Sequence, residues 1–189
     1  YLEGDSLSIQ YTTPLNEIDI VENLYFSRSK NPKYKLKSEQ VNELSKKFNK
    51  IIYITDVHNV EKLNTVISGF RKLNSNVHLM LFNSTPYSGK SDTPFKCLVK
   101  KIKCEISTKL DFETRNLHAL NKSLKKLSFE EDRIKIFNSY DAVCSKNPCI
   151  LHDDENGFLL LRDEKHLTRE GSRLLKSHLS SFIGRNFKN

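Results

Sequence analysis

A chain of 189 residues, 37% of them hydrophobic, is long enough to bury one sizeable core, and we expect a single domain over residues 1–189. The net charge of +8 admits a nucleic acid, an acidic glycan or an anionic membrane surface as partner. However, the lysines are interleaved with Glu and apolar residues in segments such as KSEQVNELSKKFNK, and no basic run carries stacking aromatics, which argues against nucleic acid. No stretch approaches the roughly 18 apolar residues that span a bilayer, and the N-terminus has no signal-peptide pattern, so we expect these residues to be cut from a longer protein.

The chain opens with a short strand, Tyr1-Leu2-Glu3, running into Gly4-Asp5-Ser6. In SEQVNELSKKF, residues 38–48, Val41, Leu44 and Phe48 fall on one helical face, with Ser38 as a candidate N-cap. KIIYITDV, 50–57, reads as a buried strand, and residues 60–73 return to helical spacing through Val60, Leu63, Ile67 and Phe70. NVHLMLFN, 76–83, is again a strand. This alternation predicts a parallel sheet with crossover helices, an α/β fold.

STPYSGKSD, 84–92, is rich in Pro, Gly and Ser and follows a strand, where open α/β sheets keep their chemistry. A helix over 111–127 (Phe112, Leu117, Leu120, Leu124) precedes the strand RIKIFN, 133–138, and then an irregular loop from Cys144 to Cys149. ILHDDENGFLLLRDEKH reads as a hairpin turning at Glu155-Asn156-Gly157, because Asn-Gly readily supplies the positive φ of a tight turn. Thr168 can cap one final helix whose apolar face carries Leu174, Leu175, Leu179 and Phe182. The aromatics Tyr25, Phe26, Tyr34 and Tyr53 are read as core or scattered surface, not as a sugar platform.

The four cysteines form two close pairs in sequence, Cys97 with Cys104 and Cys144 with Cys149, but four cysteines allow three connectivities, and free buried thiols are the alternative. Zinc would want tighter C-x-x-C knuckles and His at matching spacing. The nearest such residue is His152, so no metal is expected.

A serine hydroxyl becomes nucleophilic when a base removes its proton, and the base must be held in one tautomer by a third group. Ser6, His166 and Asp163 offer those roles from opposite ends of an alternating α/β pattern. Residues three apart on a turn can bring a carboxylate under the imidazole Nδ1 and leave Nε2 facing the serine.

Gly4-Asp5-Ser6-Leu7-Ser8 resembles the GDSL block of the SGNH hydrolase superfamily, and Asp163-Glu164-Lys165-His166-Leu167-Thr168 resembles its closing D-x-x-H-L-[ST] block. From about residue 76 onward the chain is similar to the SGNH domain fused to acyltransferase-3 membrane proteins, which acetylate bacterial surface glycans such as lipopolysaccharide O-antigen. The shared features are a Pro-containing loop after a strand, a Cys soon after it, a C-x-x-x-x-C loop, an Asn-Gly turn and D-x-x-H-L-T-x-x-G.

The resemblance implies a three-layer α/β/α sandwich with a mainly parallel central sheet, Ser6 as nucleophile, His166 as base and Asp163 as its orienter. It also implies both local disulfides, a periplasmic location beside a fused acyltransferase-3 membrane domain, and a glycan acceptor. The domain itself would hold no cofactor, its acyl donor being supplied from acetyl-CoA through the membrane domain. Residues 7–68 contain no Gly, so the superfamily's second block, a Gly oxyanion donor, is absent or replaced. TDVHNV, at the end of the strand KIIYITDV, offers Asn59 as a donor in place of the third block, beside the backbone N–H of Ser6 or Leu7. An esterase using the same triad with water as acceptor, and a glycan-binding module without catalysis, are the other readings these residues allow.

Overall fold

A computed structural model describes residues 2–4, 14–15, 17, 26–28, 38–57, 59–83, 99, 117–143, 152–153, 158–161 and 166–187. Within them run β1 (Leu2–Gly4), β2 (Phe26–Arg28), α1 (Ser38–Ser45), β3 (Ile51–Asp56), α2 (Val60–Phe70), β4 (Val77–Phe82), α3 (Leu117–Glu130), β5 (Ile134–Phe137), α4 (Ser139–Val143), β6 (His152–Asp153), β7 (Phe158–Leu159), α5 (Arg169–Arg173) and α6 (Leu175–Phe187). The sheet order is β2-β1-β3-β4-β5, and every neighbouring pair is parallel.

Period-2 alternation sorts the strand residues onto two apolar faces, as expected for a parallel sheet covered on both sides. Ile51 and Tyr53 of β3, Val77, Leu79 and Leu81 of β4 and Ile134 of β5 pack with Val41 of α1, Leu63, Val66, Ile67 and Phe70 of α2, and Leu120 and Leu124 of α3. On the other face Ile54, Met80, Phe82 and Phe137 pack with Val143 of α4 and Leu175, Leu179, Ile183 and Phe187 of α6. The result is the expected three-layer α/β/α sandwich. No helix among the described residues is long and apolar enough to cross a membrane.

Asparagines stitch the edge where the strands begin. Asn76 Nδ2 donates to the carbonyls of Ser45 and Phe48, both at 2.9 Å, and Asn42 Oδ1 accepts from Asn74 N at 3.1 Å. Lys50 Nζ ties the end of α6 to this edge through the Phe187 carbonyl at 2.9 Å. His78 meets the edge of the Phe187 ring here, and burial, with Lys50, Arg133 and Lys135 nearby, lowers its pKa. It is a packing histidine.

One local expectation needs correction, and two short elements had no signal in the sequence. β2 was not foreseen, because Phe-Ser-Arg has no alternation to announce a strand. The single final helix is two, α5 and α6, broken at Leu174, which is 40% exposed and so is not part of the apolar face. Finally, Ser139–Val143 forms a short helix ahead of the Cys144 loop.

Candidate active site

The strand order places a topological switch point between β1 and β3. From β1 the chain moves outward to β2 and then returns across β1 to β3, so the connections leaving the C-terminal ends of β1 and β3 diverge. Open α/β sheets of this order bind ligands in the crevice that such divergence leaves. β1 ends at Gly4 and β3 at Asp56 on this edge. In sequence, Asp5-Ser6-Leu7 follows the first and Val57-His58-Asn59 the second. Asp5, Ser6, Leu7 and His58 themselves lie outside the described residues, as do Asp163, Cys97, Cys104, Cys144 and Cys149.

Asn59 is described. It is the exposed N-cap of α2, in extended backbone (φ −155°, ψ 167°), and its Oδ1 accepts from Lys62 N at 2.7 Å. Capping is what Asn does well at this position, since its short side chain satisfies one of the orphan N–H groups of the first turn. The cap also orients the amide: with Oδ1 turned to the helix, Nδ2 faces away from it, and Nδ2 has no partner among the described residues.

His166 is described too, half-buried and immediately before Leu167. Leu167 pairs antiparallel with Leu161, and both side chains lie in the apolar layer that also holds Ile54 of β3 and Phe82 of β4. The hairpin that the Asn-Gly pair announced is present as β6 and β7, with His152 opposite Leu159 and Asp153 opposite Phe158. Thr168 caps α5 as expected: its Oγ1 accepts from Gly171 N at 2.8 Å. Thr168 N also donates to the Leu160 carbonyl at 3.0 Å.

Sequence reasoning missed Asn83, at the end of β4. This side chain is 8% exposed; its Oδ1 accepts from Ser139 N at 2.7 Å, and its Nδ2 donates to Asn138 Oδ1 at 3.0 Å. Ser139 Oγ returns a bond to the Asn83 carbonyl at 3.2 Å. The network ties the end of β4 to the start of α4. The only signal in the sequence was an Asn ending an apolar strand. Asn83→Ala removes the acceptor of the buried Ser139 N–H and the donor to Asn138, and is expected to cost about 2 kcal/mol of unfolding free energy. A urea titration measures this, and a loss within error would show that water replaces the amide.

With this geometry in place, the chain can be set beside known proteins. It belongs to the family of SGNH domains fused to AT3 domains, whose model matches residues 10–181. The match spans Asn59, Asp163 and His166 and begins after Ser6. At the level of the family this is a serine-type acyltransferase or hydrolase domain, and the family is one in which the domain is fused to an AT3 domain. Among solved structures the fold is similar to the periplasmic domain of a lipopolysaccharide acetyltransferase from Salmonella ser. Paratyphi A. The TM-score is 0.64 at 16% identity, over 97% of this chain and 80% of that one. No curated protein matches the sequence.

Proposed function

We propose that the chain is the periplasmic O-acyltransferase domain of a membrane-anchored protein, moving an acyl group, acetyl by our reading, to a hydroxyl of a bacterial surface glycan such as lipopolysaccharide O-antigen. The observation that supports the proposal is the switch point, where the β1 end leading to Ser6 and the β3 end leading to Asn59 are neighbouring C-terminal strand ends. Family membership supports it by supplying the chemistry, and the Salmonella domain supplies the acceptor class by analogy.

In this reading His166 Nε2 takes the Ser6 proton as Ser6 Oγ attacks the acyl carbonyl, and Asp163 holds the imidazole at Nδ1. The tetrahedral oxyanion is met by the Leu7 or Ser6 backbone N–H and by Asn59 Nδ2, each donor contributing about 3 kcal/mol. Collapse expels the donor's leaving group with the proton from His166 and leaves acyl-Ser6. His166 then deprotonates the sugar hydroxyl that attacks the ester, restoring Ser6. The acyl group reaches the site from acetyl-CoA through the fused AT3 domain, and the two local disulfides, Cys97–Cys104 and Cys144–Cys149, suit the oxidising compartment.

The test is intact-mass spectrometry after exposure to an activated acetyl ester, with Ser6→Ala alongside. One acetyl mapped to Ser6 and absent from Ser6→Ala is the expected result. Adding a glycan acceptor then separates transfer, which gives acetylated glycan, from hydrolysis, which gives free acetate. Glycan affinity that survives in Ser6→Ala, with no adduct and no ester turnover in the unmodified chain, would replace the proposal with a binding module.

A further inference from the structure

We propose that Thr168 and Gly171 are positioning residues for His166, forming a latch that closes the base of its loop; the inference rests on the acyl-transfer reading of His166. The loop leaves the end of β7 and returns at Leu167, and four contacts join its two ends. Leu161 bridges Leu167, Thr168 N donates to the Leu160 carbonyl at 3.0 Å, and Thr168 Oγ1 donates to the Leu159 carbonyl at 2.5 Å. The fourth contact is steric. A Cβ on Gly171 would stand 2.2 Å from the Leu160 carbonyl oxygen and 3.1 Å from its carbon.

The hydroxyl of Thr168 therefore serves both sides of the latch, donating to the strand and accepting from Gly171 N. Gly171 is needed because the first turn of α5 lies against backbone, which cannot swing aside as a flexible side chain would. Any side chain there pushes α5 away from Leu160 and carries Thr168 with it. His166 stands two residues before Thr168 on the same short stretch of backbone, whose register against β7 the Thr168 bonds and the Leu161–Leu167 bridge set together, so a shift at Thr168 that disturbs that register reaches the imidazole. Displacing a catalytic group by about 1 Å lowers rate by about 10²-fold even when every reacting residue remains.

The test uses Thr168→Val, Thr168→Ser and Gly171→Ala in the 189-residue chain, with three readouts: thermal stability, the ring-nitrogen NMR resonances of His166, and kcat and KM for p-nitrophenyl acetate. Thr168→Val and Gly171→Ala are expected to move the His166 ring resonances and to lower kcat about 10²-fold with KM little changed. Thr168→Ser, which keeps the shared hydroxyl, is expected to restore both. Ring resonances and kcat at their original values in folded Thr168→Val, with only a lowered Tm, would overturn the proposal and leave a helix cap. Thr168→Val removes a single hydroxyl, so it carries the test if Gly171→Ala does not fold. If the unmodified chain turns over no ester, the acyl-transfer reading fails, and the ring resonances alone then decide whether the latch sets the imidazole.

Discussion

His166→Ala is expected to lower kcat for an acetyl ester by about 10⁴-fold or more, with KM nearly unchanged. Without the imidazole, Ser6 must attack while still holding its proton, and the leaving group must depart without receiving one. Both deficits fall on the transition state, so they appear in kcat and not in ground-state binding. Asp163→Asn should approach the same loss by a different route, because the amide lets the ring adopt the wrong tautomer. Steady-state kinetics on the two variants and on Ser6→Ala, with the double variant Ser6→Ala/His166→Ala, checks the assignment. Residues acting as one unit give losses that do not add. A loss below tenfold in His166→Ala would remove it from the role of base.

The largest effect on stability is expected at Phe82. Its ring is fully buried at the end of β4 and meets Phe137 edge to face, with centroids 5.2 Å apart. Phe137 in turn meets Phe182 at 5.3 Å, and Phe182 meets Phe187 at 6.3 Å, so a file of rings links the site edge of the sheet to the end of α6. Truncation to Ala removes the first ring of that file from a layer that also holds Leu160, Leu161 and Leu167. The expected cost is about 3–5 kcal/mol, a large part of the roughly 5–15 kcal/mol that holds a domain together. Urea denaturation of Phe82→Ala measures it, with Phe82→Leu as the milder partner. A cost near 1 kcal/mol would mean that the layer collapses around the gap.

The central elements were legible because their chemistry is repetitive. KIIYITDV and NVHLMLFN are apolar on both faces, as strands buried between helices must be, and the observed β3 and β4 lie within a residue or two of those limits. Tyr53, fully buried, joined the core as a strand residue should. β2 was hidden because three residues hold no period, and its place depends on pairing with β1. The asparagines were hidden for another reason: Asn42 falls within a helical segment and Asn76 and Asn83 at the two ends of a strand, where spacing says nothing of the amides that, with that of Asn74, fasten neighbouring elements.

Of the candidate site, residue types at the two ends of the chain suggested the roles proposed for Ser6, Asp163 and His166, and the position after a strand suggested Asn59; Ser6 and Asp163 lie outside the described residues. Two further properties could not be read from spacing. One is that Asn59 spends its oxygen on capping α2, which decides which way its amide hydrogens face. The other is that Gly171 is demanded by a carbonyl eleven positions earlier in sequence, at Leu160.

The place of β1 in the sheet also bears on how the molecule is made. The first strand of the chain is an inner strand, paired with β2 on one side and, through Leu2 and Ile54, with β3 on the other. A polypeptide emerging N-terminus first therefore holds β1 with an open edge until the residues of β3 have followed, and parallel pairings over such separations form slowly. Any folding path for this domain must shield that edge in the interval, since an unpaired strand recruits other chains.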